Sequence, residues 1–441
     1  MPRYILTLTL ILGASLILLF GCSDRGTNLT AEGIDQIYID STGVWPEAQH
    51  AITPQLKLQL RNPEGLLLGA AFLPEARTDD ASPAPTLILL APEGGDHFHY
   101  FKAGLEQVAK EMMASGEIQP MYIYCVGNNP LFGGYFYSSP HSYDSASPCG
   151  DYDRIIGSEL IDHIHEIFPG TIEQQSKRGI GGIGQGAYGA FRAAMLNPGA
   201  FSSVTVADGP LDFDGPTGSS GLQDLFDDVI AEQEAYHALR YGPGAPFSFH
   251  ADFDSSKTMP LSRMFIGGSL AFSPNDTLVE FPRTGGSTWG IGNRYKIADS
   301  SLPGGGDSST FIPDVLQDIN QDEDFDFHLP FDSLAQAYID GNPANPAHWA
   351  WSQWMHNNLD SLHERVGGQP LQGANIWVAS NPGARWNYYE MTQSWISFMR
   401  AQGYPVERYD YTSFDGPIES DEYLYDLLRK MLKFHSDSFG D

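Results

Sequence analysis

The chain has 441 residues, 41% hydrophobic and 12% aromatic, which excludes global disorder. Such a length suits two ordinary domains or one large α/β domain with insertions. With 24 Lys and Arg against 55 Asp and Glu the formal charge is -31, which excludes nucleic-acid binding through a basic groove. The first predicted element is a targeting signal. Arg3 precedes an apolar run over residues 5–19, which is short for a membrane span and ends in Gly21-Cys22. This pattern is similar to a bacterial lipoprotein signal over 1–21, with Cys22 as the lipidated first residue and 22–50 as a polar tether. An uncleaved anchor or a plain signal peptide are the alternatives. Ser23, rather than Asp, follows the cysteine and favours a cell-envelope position at the outer membrane.

The mature chain then alternates strands and helices. Residues 55–60 and 66–73, around the Asn62-Pro63-Glu64-Gly65 turn signal, predict a β-hairpin. Continuous apolar runs predict buried strands at 86–90 and 121–126, and further strands are read at 179–183, 204–207, 376–379 and 406–411. Helical spacing covers 103–113, 158–168, 186–196, 388–402 and 422–434. That order predicts a mostly parallel, doubly wound α/β sheet. Residues 212–370 break the rhythm with Gly, Pro, Ser and Asp, and carry helical stretches near 222–239 and 347–366. They are expected to form an insertion or lid between a first core part, 51–211, and the last strands and helices, 371–441. The aromatic stretch Trp349-Ala350-Trp351-Ser352-Gln353-Trp354 is expected to pack in a cap helix rather than form a sugar platform. An exported chain permits a disulfide between Cys125 and Cys149; two separate buried thiols are the alternative.

Several stretches resemble the esterase family of α/β-hydrolases that contains esterase D-like and mycolyltransferase-like proteins. They are 86–95, 119–134, Phe136-Tyr137-Ser138-Ser139, Gly157-Ser158-Glu159-Leu160, and 182–191 followed by Asn197-Pro198 and Phe201, with later matches at 271–275 and 329–332. The resemblance covers most of the mature chain and implies an α/β-hydrolase fold with a large insertion or lid. It also implies a G-x-S-x-G elbow, whose glycines allow a sharp strand-to-helix turn and whose serine attacks an acyl carbon. Here the elbow reads Gly182-Ile183-Gly184-Gln185-Gly186, with glycine at the nucleophile position. The family's acid is expected after the strand at 376–379, where Ser380-Asn381-Pro382-Gly383-Ala384-Arg385 holds no carboxylate. The family's histidine is expected after the last strand, where Phe414-Asp415-Gly416-Pro417-Ile418-Glu419 holds none. Ala91-Pro92, leading into Glu93-Gly94-Gly95, replaces the family's His-Gly.

The favoured expectation is therefore a lipid-anchored protein with degenerate esterase machinery that binds a small molecule or a protein partner. An oxyanion hole without a nucleophile still suits a carboxylate or carbonyl. Glu93, Gly94, Gly95, His97, His99, Gln185, Tyr188 and Asp208 are expected near the strand ends as ligand contacts. The alternative is an active ester or acyl hydrolase with a rearranged constellation, drawing on His250, His328, Ser138 or Ser139. Gly184 to Gly189 also spells G-x-G-x-x-G, but at least three strand-like runs precede it, which argues against a dinucleotide fingerprint. Asp318, Asn320, Asp322 and Asp324 alternate like calcium-loop ligands, yet Glu323 and Leu329 break the EF-hand pattern. An irregular calcium site and a solvated acidic loop stay open there; no other cofactor is expected.

Overall fold

The computed structural model describes residues 50–51, 68–74, 83–128, 136–138, 152–168, 170–216, 221–241, 260–273, 281–282, 288–289, 329–330, 346–411 and 421–440. Its main sheet has eight strands: β1 (His50–Ala51), β2 (Leu68–Phe72), β3 (Thr86–Leu90), β4 (Tyr122–Val126), β5 (Arg178–Ile183), β6 (Ser203–Ala207), β7 (Asn375–Ser380) and β8 (Val406–Asp410). They lie in the order β1-β2-β4-β3-β5-β6-β7-β8. β2 runs antiparallel to both neighbours, and every other pairing is parallel.

The continuous apolar runs form strands because both faces of the sheet are covered. Along β3, Ile88 and Leu90 point into one core cluster while Leu87 and Leu89 point into the other. α1 (Leu105–Ala114) and α9 (Asp421–Phe439) cover the second cluster. α2 (Leu160–Ile167), α3 (Gln185–Leu196) and α8 (Tyr388–Ala401) cover the first.

The insertion contributes α4 (Phe226–Tyr241), α5 (Pro260–Phe272), α6 (Pro346–His356) and α7 (Leu359–Val366). These helices join the first core cluster through Phe226, Phe265, Trp351, Trp354 and Leu359. Trp354 is fully buried and its ring lies 5.4 Å from Phe265 in a stacked pair, so this tryptophan packs as expected. Gly268 makes room for it, since a Cβ there would fall 2.3 Å from the indole.

Three expectations are corrected. The described partner of β2 on its outer side is His50–Ala51, so β1 begins inside the expected tether, and residues 55–60 lie outside the described set. The helical stretch expected near 347–366 is two helices, parted at Asn357-Asn358. There the Asn358 side chain accepts from Leu359 N and from Phe213 N, capping α7 and tying the insertion to the core. Cys125 is a free thiol in β4, buried in the second core cluster beneath α1 and α9, and burial pushes its pKa up. The expected bridge is absent there, and Cys149 lies outside the described residues.

Candidate functional site

β5 passes into α3 through one residue, Gly184, with φ 58° and ψ -128°. Side chains are strained at such a φ, and glycine is not. Two positions on, a Cβ at Gly186 would lie 2.0 Å from the carbonyl oxygen of Leu90. Glycine there lets α3 start directly against β3. A Cβ at Gly189 would lie 2.7 Å from the Tyr137 side chain, so the turn, the close approach and this contact account for the G-x-G-x-x-G pattern.

The loop after β3 brings a carboxylate to the turn. Glu93 Oε2 accepts from the backbone N–H of Gln185 at 2.9 Å, and the Glu93 side chain is only 6% exposed. A Cβ on Gly184 would lie 2.4 Å from that same oxygen. The Glu93 carboxylate thus fills the space into which an elbow side chain would project. It also occupies the first N–H of a helix, a donor suited to negative charge. The other carboxylate oxygen, Oε1, lies 3.8 Å from Arg385 Nη2, and the Arg385 guanidinium rests over the Trp386 ring at 4.3 Å.

Asp208 follows β6 directly. Its φ is 43° and it is 1% exposed, an unusual backbone for a buried acid. Oδ1 accepts from Asn381 N at 2.7 Å, and Tyr423 Oη donates to Oδ2. Burial pushes the Asp208 pKa up to about 7, against the opposing pull of the Tyr423 and Asn381 hydrogen bonds. Asn381 stands in the loop after β7, the stretch where an acid is expected from the sequence resemblance. Here its backbone supports a different carboxylate, on the neighbouring strand.

These groups border one cavity of about 420 Å³ at the C-terminal ends of the strands. Of the expected contacts, Glu93, Gly94, Gly95, His99 and Asp208 line it, as does Gly184 of the degenerate elbow. Arg263 of α5, together with Arg385, Trp386 and Tyr388, lines it too, and sequence reasoning missed all four. A signal for Arg385 was present: it sits in the loop after a predicted strand, where such folds keep functional groups.

The remaining expected contacts are placed elsewhere. Gln185 is fully buried, and its side-chain oxygen accepts from Asn128 Nδ2 at 2.8 Å, so only its N–H serves the site. Tyr188 is buried one turn on; its hydroxyl donates to Asn357 O at 2.5 Å and its ring stacks on Phe213. It belongs to the core because this face of α3 packs against the insertion. His97 is 4% exposed with its ring against Phe98, and burial lowers its pKa. Ser138 is fully buried and does not line the cavity. Cys22, Ser139, His250, His328 and the calcium-loop candidates Asp318, Asn320, Asp322 and Asp324 lie outside the described residues, as does 412–420. Among the described residues no cluster of His, Cys, Asp or Glu is arranged to hold a metal ion, and no helix is long and apolar enough to cross a membrane.

A mostly parallel sheet in the order 1-2-4-3-5-6-7-8, with an antiparallel second strand and a sharp glycine turn after the fifth, decides the architecture. The chain has the α/β-hydrolase fold. No protein-family model and no curated protein matches its sequence. Solved α/β-hydrolase structures are similar over most of its length. One is a ferulic acid esterase, at 14% identity over 85% of this chain and 93% of that chain, TM-score 0.44. Another is an S-formylglutathione hydrolase from Staphylococcus aureus, at 13% identity over 88% and 97%, TM-score 0.44. A third is MPT51 of Mycobacterium tuberculosis, at 13% identity over 87% and 98%, TM-score 0.39.

Proposed function

We propose that this esterase-like α/β-hydrolase-fold protein has lost Ser-His-acid catalysis and uses the cavity at its strand ends to bind a small molecule. One observation carries the reading. The Glu93 carboxylate sits on the Gln185 N–H, in the space a nucleophile at position 184 would need. With glycine at the elbow no acyl-enzyme forms there, and the donor that would stabilise an oxyanion is already taken. The test is ester turnover by the full chain, with short-chain and aromatic esters, beside Gly184→Ser. Neither protein is expected to exceed buffer. Turnover by the wild-type chain would sink the proposal.

Asp208 favours a second reading, an active ester or acyl hydrolase with a rearranged constellation. A cavity carboxylate with a pKa near neutrality suits a general base that activates water. Under that reading Asp208→Asn abolishes a measurable turnover; under the first there is none to abolish.

The N-terminal pattern supports a lipid anchor at Cys22, with the body held at the cell envelope, on the outer membrane. Mass spectrometry of the mature N-terminus should find a diacylglyceryl cysteine, and Cys22→Ala should release the protein from membranes. A soluble, unmodified wild-type chain would contradict the anchor.

A further inference from the structure

The reading above leaves open what the cavity binds, and the geometry at the elbow narrows it. We propose that the cavity takes a small carboxylate-bearing molecule, seated by exchanging its carboxylate for that of Glu93 on the Gln185 N–H. The proposal rests on the cavity being a binding site without acyl-transfer chemistry.

Three features support the exchange. The Gln185 N–H opens a twelve-residue helix and belongs to a fully buried residue, so an acceptor must always occupy it. Glu93 fills that place in the structure, as an internal stand-in for an external acid. Glu93 also has a second partner at hand, since Arg385 Nη2 is already 3.8 Å from its other oxygen. A modest turn of the side chain exchanges one charged contact for another. Once Glu93 turns away, the bare Cα of Gly184 leaves room for the incoming group.

The second feature is charge. Lys and Arg number only 24 in a chain of formal charge -31. Two arginines from distant elements nevertheless border this one cavity, Arg263 from α5 and Arg385 from the loop after β7. After the exchange Arg385 holds Glu93, and Arg263 borders the same cavity as the ligand acid. Guanidinium suits carboxylate by its planar donors. The third feature is the wall formed by Trp386 and Tyr388, which suits a flat apolar body behind the acid.

The test titrates the full chain with benzoate, benzamide and benzylamine by calorimetry, for wild type, Glu93→Gln and Glu93→Ala. Benzoate should bind more tightly along that series, by about tenfold or more from wild type to Glu93→Ala, because a competing charged acceptor is removed. Benzamide should not gain. Arg263→Ala added to Glu93→Ala should return benzoate to the wild-type level or weaker. Glu93→Gln, nearly isosteric, keeps the test valid if Glu93→Ala unfolds. Benzoate affinity unchanged in both Glu93 variants overturns the proposal. So does an equal gain for benzamide, or a preference for benzylamine. Those outcomes leave the binding reading intact, whereas ester turnover by the wild-type chain removes the reading beneath it.

Discussion

Strand β6 carries two polar assemblies, one at each end, and they differ in kind. Near its start, His435 of α9 lies between Ser203 and Thr205, with each ring nitrogen 2.7 Å from a hydroxyl. All three residues are fully buried. At its end, Asp208 borders an open cavity with Glu93 and two arginines. The sealed end holds a serine–histidine pair in contact, yet it has no space for a substrate. The open end has the space, the helix N-terminus and the sharp turn, but glycine stands where a nucleophile would be. Chemistry follows the place in the fold, and a residue pair alone does not supply it.

The two ends respond to pH in opposite directions, which gives the largest expected effects. Burial lowers the His435 pKa to about 3, so the folded state keeps this ring neutral. The unfolded chain protonates it below about 6.5, and stability is lost as pH falls from there toward 3, by roughly 4 kcal/mol. Urea unfolding across pH should show His435→Gln destabilised near neutrality and lacking that acid loss. Asp208 is the reverse case. Its folded pKa, about 7, lies above the ordinary 3.8, so its contribution is full below pH 3.8 and lost as pH rises through 7. Asp208→Asn should gain relative to wild type across that window, by about 4 kcal/mol at most. Parallel pH curves for wild type and either variant would break the comparison.

A smaller effect is expected at the elbow. Gly184→Ser places a side chain at positive φ and against Glu93 Oε2, which should cost about 1–3 kcal/mol. Adding Glu93→Ala should return part of that loss, a coupling of about 0.5–3 kcal/mol measurable in a double-mutant cycle. Additive losses would mean that Glu93 does not occupy the side-chain space. The smallest effect belongs to Arg385→Ala. Its ion pair with Glu93 is long and its side chain 37% exposed, so stability should change by less than about 1 kcal/mol.

The sheet was legible in the sequence because strands covered on both faces read as nearly unbroken apolar runs, as at 86–90 and 121–126. The elbow was legible because its glycines are forced by the turn and by the close approach of α3 to β3. α5 was not, since Gly267-Gly268 reads as a breaker. Only the packed structure shows that Gly268 yields space to the Trp354 indole. The role of Glu93 was hidden for another reason. Its partner Gln185 lies 92 positions away, and that contact exists only after β3 and β5 pair. Trp386 and Asn387 both take positive φ without being glycine, and although Asn381-Pro382-Gly383 marks a turn, nothing in that signal says that the loop brings Arg385 to the cavity.

The most direct measurement of the central claim is intact-mass analysis of the full chain after exposure to a serine-directed fluorophosphonate. The account predicts an unshifted mass, because the elbow holds glycine and its donor holds Glu93. A stoichiometric adduct on any serine would contradict it.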